Sequence, residues 1–208
     1  MNKEIFTGAL RGRVPESSLD YCYEVWKADP FRLHITSSRS TKLGDFSFQR
    51  SRSLQRISIN HDLNIYQFLI TYLHEVAHHR VYSKYGMGKK PHGVEWKLAF
   101  RSVMAPVLTG KVFPLDVLIP LKRHMTNPKA SAGADFFLAK ELKKYDTVKP
   151  GVDLVFLGDV KVGSAFEIKA RVFKKLETRR TRVLCQELSN GKKYLISSHA
   201  EVALVDAP

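Results

Sequence analysis

An α+β fold is the expectation for this chain: a unit of helices and a small antiparallel sheet over residues 1–146, then a small all-β C-terminal domain over residues 147–208. Three observations predict it. Ile65, Phe68, Leu69, Tyr72, Leu73 and Val76 fall at i, i+3, i+4, i+7, i+8 and i+11, which is one face of a helix. Short β-branched runs precede that helix, Arg56-Ile57-Ser58-Ile59-Asn60 being the clearest. Beyond Val148 the helical spacing gives way to short alternating runs with an Asn190-Gly191 hairpin signal. With 208 residues, 44% of them hydrophobic, the chain can bury a core and suits one domain plus an appendage.

In chain order, a first helix is expected from Glu16 to Trp26, stopped by Pro30. Phe31–Thr36, Asp45–Gln49 and Arg56–Asn60 read as strands, with Leu43-Gly44 at a turn. The sheet feeds the helix that starts at Ile65, capped by Asn60, Asp62 or Asn64. Gly86, Gly88 and Pro91 then break the chain into a loop over Ser83–Pro91. A second helix starts near His92, with Trp96, Ala99, Phe100, Val103 and Met104 at core spacing, and packs antiparallel on the first. Prolines punctuate Pro106–Pro128, and a helix follows over Ala132–Tyr145. Five strands are expected after it: Val152–Leu157, Ala165–Phe173, Thr181–Leu188, Lys193–Ser197 and Glu201–Val205.

The densest chemistry lies in His74-Glu75-Val76-Ala77-His78, an H-E-x-x-H pattern. Residues four apart on a helix share a face, so two imidazoles can grip one zinc ion while the Glu beside the first reaches water on it. A shuffled chain of this composition contains the pattern about 0.015 times, so chance is a poor account of it. His74 and His78 lie opposite the apolar stripe, flanked by Ile70, Ala77 and Val81, as the wall of a cleft requires. A catalytic zinc takes three protein ligands. His92, after the reversing loop, is the preferred third, and Glu95 is its rival. His79 points about 100° away from His78 on a helix. His34, His61, His124 and His199 have no ligand-like spacing and read as ordinary surface or core histidines.

Phe31–Met104 resembles the metalloprotease domain of SprT-like proteins, the Spartan-type group. The matching pieces are Ser38-Arg39-Ser40, Leu43-Gly44, Arg56-Ile57-Ser58-Ile59-Asn60, the H-E-x-x-H helix and His92-Gly93-Val94-Glu95-Trp96. The resemblance implies a zincin-like metalloprotease domain with one catalytic Zn2+, His74, His78 and His92 as its ligands and Glu75 as general base. It further implies hydrolysis of peptide bonds in protein substrates, in association with DNA. Peptide deformylases share H-E-x-x-H but use a nearby upstream cysteine, and the nearest one here is Cys22. By analogy with zincin peptidases, a strand at the cleft edge pairs with extended substrate, and Arg56–Asn60 is the candidate. Tyr82, Tyr85 and Arg39 are candidate donors to the developing oxyanion. SprT-like proteins often end in a Cys₄ zinc ribbon; with only Cys22 and Cys185 in the chain, no structural zinc is expected.

Two cysteines are too few for a disulfide framework and point to a reducing compartment, hence cytoplasmic residence. No stretch has the length and apolarity of a membrane span, and a monomer is favoured. Net charge is +14 and unevenly spread. Lys169–Lys193 holds nine Lys or Arg against Glu177 and Glu187, and Arg32–Arg56 holds six against Asp45. Such surfaces concentrate polyanions. Lys174, Lys175, Arg179, Arg180 and Arg182 are the candidate phosphate contacts, without base specificity. Two alternatives compete with a DNA-associated zinc protease. One is a basic nucleic-acid-binding protein whose zinc is structural or vestigial; the other is a zinc protease unrelated to DNA.

Overall fold

The computed structural model describes residues 2–39, 41–131, 133, 135–146 and 154–205. They form an α+β structure with six α-helices and two sheets. The chain divides into two units, Met1–Thr147 and Val148–Pro208.

The first unit opens with a helix absent from the sequence expectation, Lys3–Leu10 (α1), capped by the Asn2 side chain accepting from the Ile5 N–H. Only Phe6 and Leu10 give it a fully buried apolar edge, too short a repeat to read from periodicity. The helix expected at Glu16 begins as a single 3-10 turn, Glu16–Ser18, and continues as Leu19–Ala28 (α2). Arg32–Thr36 (β1), Gly44–Ser47 (β2) and Arg56–Asn60 (β3) form a sheet in the order β1-β3-β2.

Two expectations about this sheet are corrected. It is mixed: β1 runs parallel to β3, while β2 is antiparallel to it. Furthermore, Arg56–Asn60 is the central strand, with both backbone edges occupied, so it cannot pair with a substrate. Its alternation misleads because both faces are buried. Ile57 and Ile59 enter the core, while Ser58 and Asn60 are buried beneath the Arg39 side chain. The outer edges of the sheet belong to β1 and β2, and of the two only β2 lines the pocket beside α3.

Ile65–Tyr85 forms the long helix α3, with Asn64 as its cap accepting from the N–H groups of Tyr66 and Gln67. Gly86, at φ +66°, ends it. Phe68, Leu69, Tyr72, Leu73 and Val76 are buried on the expected face, each contributing roughly 2 kcal/mol by burial. Ile70 and Ala77, off that stripe, are buried too. Val94–Met104 (α4) packs on α3 through Trp96, Phe100, Val103 and Met104. Leu115–Thr126 (α5) occupies the proline-punctuated region; it carries Pro120 in its interior, which masked it in the sequence. Phe136–Lys143 (α6), capped by Asp135, is the shorter core of the helix expected over 132–145. Ala132 and Ala134 lie outside the described residues, as do Ser40 and positions 147–153.

The described elements of the second unit are six strands: Leu154–Phe156 (β4), Ala165–Ile168 (β5), Arg171–Thr178 (β6), Arg182–Glu187 (β7), Lys193–Ser197 (β8) and Glu201–Val205 (β9). Their order is β4-β9-β5-β6-β7-β8 and all pairings are antiparallel. The run expected as one strand over Ala165–Phe173 is two, because Lys169 (φ +53°) and Ala170 (φ +58°) make a two-residue hairpin turn with left-handed backbone. Neither residue type favours φ > 0, so nothing in the sequence marked the turn. Leu157, Phe166, Phe173, Val183, Cys185 and Val202 form the core. Cys22 and Cys185 are both buried and free. No helix among the described residues is long and apolar enough to cross a membrane.

Candidate metal centre

Three histidines build the site. Helix α3 presents His74 and His78 one turn apart, and the loop before α4 brings in His92. His92 is held at φ +58°, a left-handed conformation costing a non-glycine residue about 1–3 kcal/mol, which the packing around it must impose. Trp96, in the first turn of α4 and 1% exposed, supplies that packing. Its ring lies 4.6 Å from that of His74, 5.4 Å from His78 and 4.7 Å from His92, and it stacks on Phe100 at 4.9 Å.

The Nε2 atoms of the three histidines converge. His74 and His78 are 3.2 Å apart, His78 and His92 3.0 Å, and His92 and His74 3.2 Å. A neutral imidazole has one lone-pair nitrogen, and three cannot satisfy one another around a single point. A cation can satisfy all three. Nitrogens bound to one tetrahedral ion at about 2.0–2.1 Å stand about 3.3–3.4 Å apart, close to the separations here. Among the described residues this is the one group of His, Cys, Asp or Glu whose ligand atoms converge so, and it could hold a metal ion. Burial, reinforced by the neighbouring rings, pushes His74 down to about 2 and His78 down to about 4, and burial lowers His92. All three are therefore neutral near pH 7, the form in which imidazole binds metal.

Glu75 is 6% exposed and lines the same cleft. Burial pushes its carboxyl up to about 8; a hydrogen bond from the Phe46 backbone N–H and the charges of Arg39 and Lys42 act against that rise. The cleft has a volume of about 580 Å³. Gln67, Ile70 and Thr71 lie towards one end, Val81 and Tyr82 towards the other, and β2 forms a wall. From Gln67 to Tyr82 the helix rises about 22 Å, room for six or so extended residues.

The remaining sequence candidates fall outside the triad. Glu95, the rival ligand, is paired with Lys89 at 2.7 Å. His79 faces Asp29 at 3.0 Å, and His124 lies buried beside Asp135 at 3.4 Å. His34 and His61 are exposed and His199 is half-buried. Of the three oxyanion candidates only Tyr82 lines the cleft, braced by Phe46 and Phe48. Arg39 is engaged with Asn60 and Ser58, and the Tyr85 ring is covered by Lys84 and Lys89.

Sequence reading missed what Gly44 does, although a glycine inside a strand commonly marks a close backbone approach. A Cβ there would lie 2.6 Å from Thr71 Cγ2 and 2.8 Å from Glu75 Oε1.

In the second unit, Lys174, Arg179, Arg180 and Arg182 are exposed on or beside the β6–β7 hairpin. Lys175 is not: it is 1% exposed, and its Nζ donates to the carbonyls of Leu157 at 2.9 Å and Gly158 at 3.0 Å. Phosphate contact by Lys175 is therefore corrected. Side chains alternate along β6, and this one points into the core.

Comparison with protein-family models, characterised proteins and solved structures finds no match to this chain in any of the three.

Proposed function

We propose that the first unit is a zincin-like, SprT-like metallopeptidase that holds one zinc ion on His74, His78 and His92 and uses Glu75 as general base on protein substrates. The observation that carries this reading is the convergence of three neutral imidazoles within 3.2 Å, with a buried carboxylate from the next residue in the same cleft. A purely structural site fills all four positions around zinc with protein ligands, and here the described residues offer three.

When bound, the ion supplies Lewis-acid polarisation and acidifies water. The residues of the chain do the rest. The three histidines donate lone pairs, and Trp96 walls them from one side. Glu75 takes a proton from the attacking water and returns it to the leaving amine. Its high intrinsic proton affinity, set by burial, suits both transfers. The free edge of β2 supports pairing with an extended peptide through backbone groups, a mode with little side-chain demand.

The test is cleavage of a denatured protein substrate. Activity is expected to disappear on chelation and to return when zinc is added back; cleavage indifferent to chelator would refute the reading.

Association with DNA is part of the proposal and rests on the exposed basic hairpin of the second unit. Affinity for duplex and single-stranded DNA should fall steeply with salt. Replacing Arg179, Arg180 and Arg182 by Ala should flatten that slope by about 0.9 for each phosphate that is no longer neutralised. A salt-insensitive or undetectable affinity would favour a protease unrelated to DNA.

A further inference from the structure

The approach of β2 to α3 is closer than any side chain permits. At Gly44 an added Cβ would meet Thr71 Cγ2 at 2.6 Å, Glu75 Oε1 at 2.8 Å and Glu75 Cγ at 2.9 Å. Contacts under 3.0 Å force something to move, and the neighbours here are a β-branched side chain and the buried stem of Glu75. The glycine is not needed for a turn, since its backbone is that of an ordinary strand residue paired with Ile59.

What presses β2 into this position is a polar clasp. The Asn60 side chain, 1% exposed, donates through Nδ2 to the carbonyls of Arg39 at 3.1 Å and Lys42 at 3.0 Å. Its Oδ1 accepts from Arg39 Nε at 2.8 Å, and Arg39 Nη1 donates to Ser58 Oγ at 3.1 Å. The Asn60 backbone N–H bonds the Leu43 carbonyl at 2.9 Å, immediately before Gly44. The segment entering β2 is thereby tied to the central strand, and its exit point is fixed against the Glu75 side chain.

We infer that Gly44, held in place by the Asn60–Arg39 clasp, is a positioning residue that sets where the Glu75 carboxylate stands in the cleft. This rests on the reading of Glu75 as general base. Displacing a proton acceptor by the 1 Å or so that an extra methyl requires is enough for about a 10²-fold loss of rate.

Two experiments test it. The first needs no activity: a thermal-unfolding cycle over Gly44→Ala, Glu75→Ala and the double variant. Gly44→Ala should lower Tm by about 3 °C or more in the wild-type background. Its effect should be smaller when Glu75 is already Ala, because the contacts at 2.8 and 2.9 Å have gone while that with Thr71 at 2.6 Å remains. Equal effects of Gly44→Ala in both backgrounds would overturn the inference. The second experiment combines Gly44→Ala with Thr71→Ser, which deletes the methyl at 2.6 Å but keeps the Thr71 hydroxyl type that bonds the Gln67 carbonyl. This variant should recover stability, bind one zinc with affinity within about 3-fold of wild type, and keep KM within about 3-fold. Its kcat should stay about 10²-fold low. Recovery of kcat together with stability would make Gly44 a packing residue only. If the wild type shows no metal-dependent cleavage, the peptidase reading fails, while the unfolding cycle still decides whether Gly44 and Glu75 are coupled.

Discussion

Each unit of this protein buries polar nitrogen, and the two do so in opposite ways. In the second unit the Lys175 ammonium is sealed in the core, yet its Nζ has two carbonyl acceptors. Two of its three N–H groups are met by carbonyls of the chain itself. In the first unit His74, His78 and His92 turn their Nε2 atoms on one another at 3.0–3.2 Å, where no arrangement of protons satisfies all three. The difference teaches how to tell a polar centre that the chain completes from one that could hold a metal ion. The first takes its partners from nearby carbonyls, and the second has lone pairs that a cation could satisfy together.

The contrast is most exposed to removal of a member of the histidine centre. His92→Ala should weaken zinc binding by at least about 10²-fold in a chelator competition, with little change in the fold of the second unit. Unchanged affinity would remove His92 from the ligand set and reopen Glu95.

Removing the Lys175 ammonium should act on stability alone. Lys175→Ala leaves the Leu157 and Gly158 carbonyls without their ammonium donor and opens a cavity, costing about 2–4 kcal/mol of unfolding free energy for that unit. Zinc content should stay at that of the wild type. A variant as stable as wild type would mean that burying the ammonium costs as much as its two carbonyl bonds return, and would remove Lys175 as a stabilising centre.

The histidines offer a subtler test by pH. Burial holds His74 at about 2 and His78 at about 4 in the fold, against an ordinary value of 6.5 when unfolded. At these two histidines the unfolded chain binds more protons below pH 6.5, which lowers folding stability as pH drops. Glu75, raised from 4.5 to about 8, binds its proton in the fold and opposes part of that loss above pH 4.5. Metal-free protein should lose about 1.4 kcal/mol per pH unit for each such histidine between pH 6.5 and 4. Saturating zinc should deepen the loss, since protons and metal compete for the same nitrogens. Urea midpoints measured across this range would show it; a flat profile would indicate that the cleft is wet.

The smallest effect concerns the hairpin at Lys169-Ala170. Both residues hold φ > 0, so Ala170→Gly, or Lys169→Asn with it, should raise stability by about 0.5–1 kcal/mol without touching zinc content.

Helix α3, which carries His74 and His78, was readable in the sequence because its residues answer to local rules. His74 and His78 are one turn apart, Asn64 was among the capping choices, and Gly86 with Pro91 marked the reversal that carries His92 back. The strands were legible as strands, but their pairing was not. Whether β1 lies parallel to β3 depends on where the chain crosses, and nothing in Arg32–Thr36 encodes a neighbour. Ser58 and Asn60 alternate with isoleucines as solvent-facing residues would, and only the Arg39 clasp covers them. The turn at Lys169-Ala170 and the helix around Pro120 were hidden because tertiary packing overrides what those residues prefer alone. The role of Gly44 was hidden for the same reason: its meaning lies 27 positions away at Thr71 and 31 away at Glu75.

Metal content paired with cleavage in Glu75→Gln tests the peptidase reading most directly. One zinc per chain is expected, as in the wild type, with proteolysis reduced by about 10³-fold or more, because the ligand set is intact and only the proton acceptor is gone. Proteolysis at the wild-type rate in that variant, or disappearance of the zinc with the carboxylate, would contradict it.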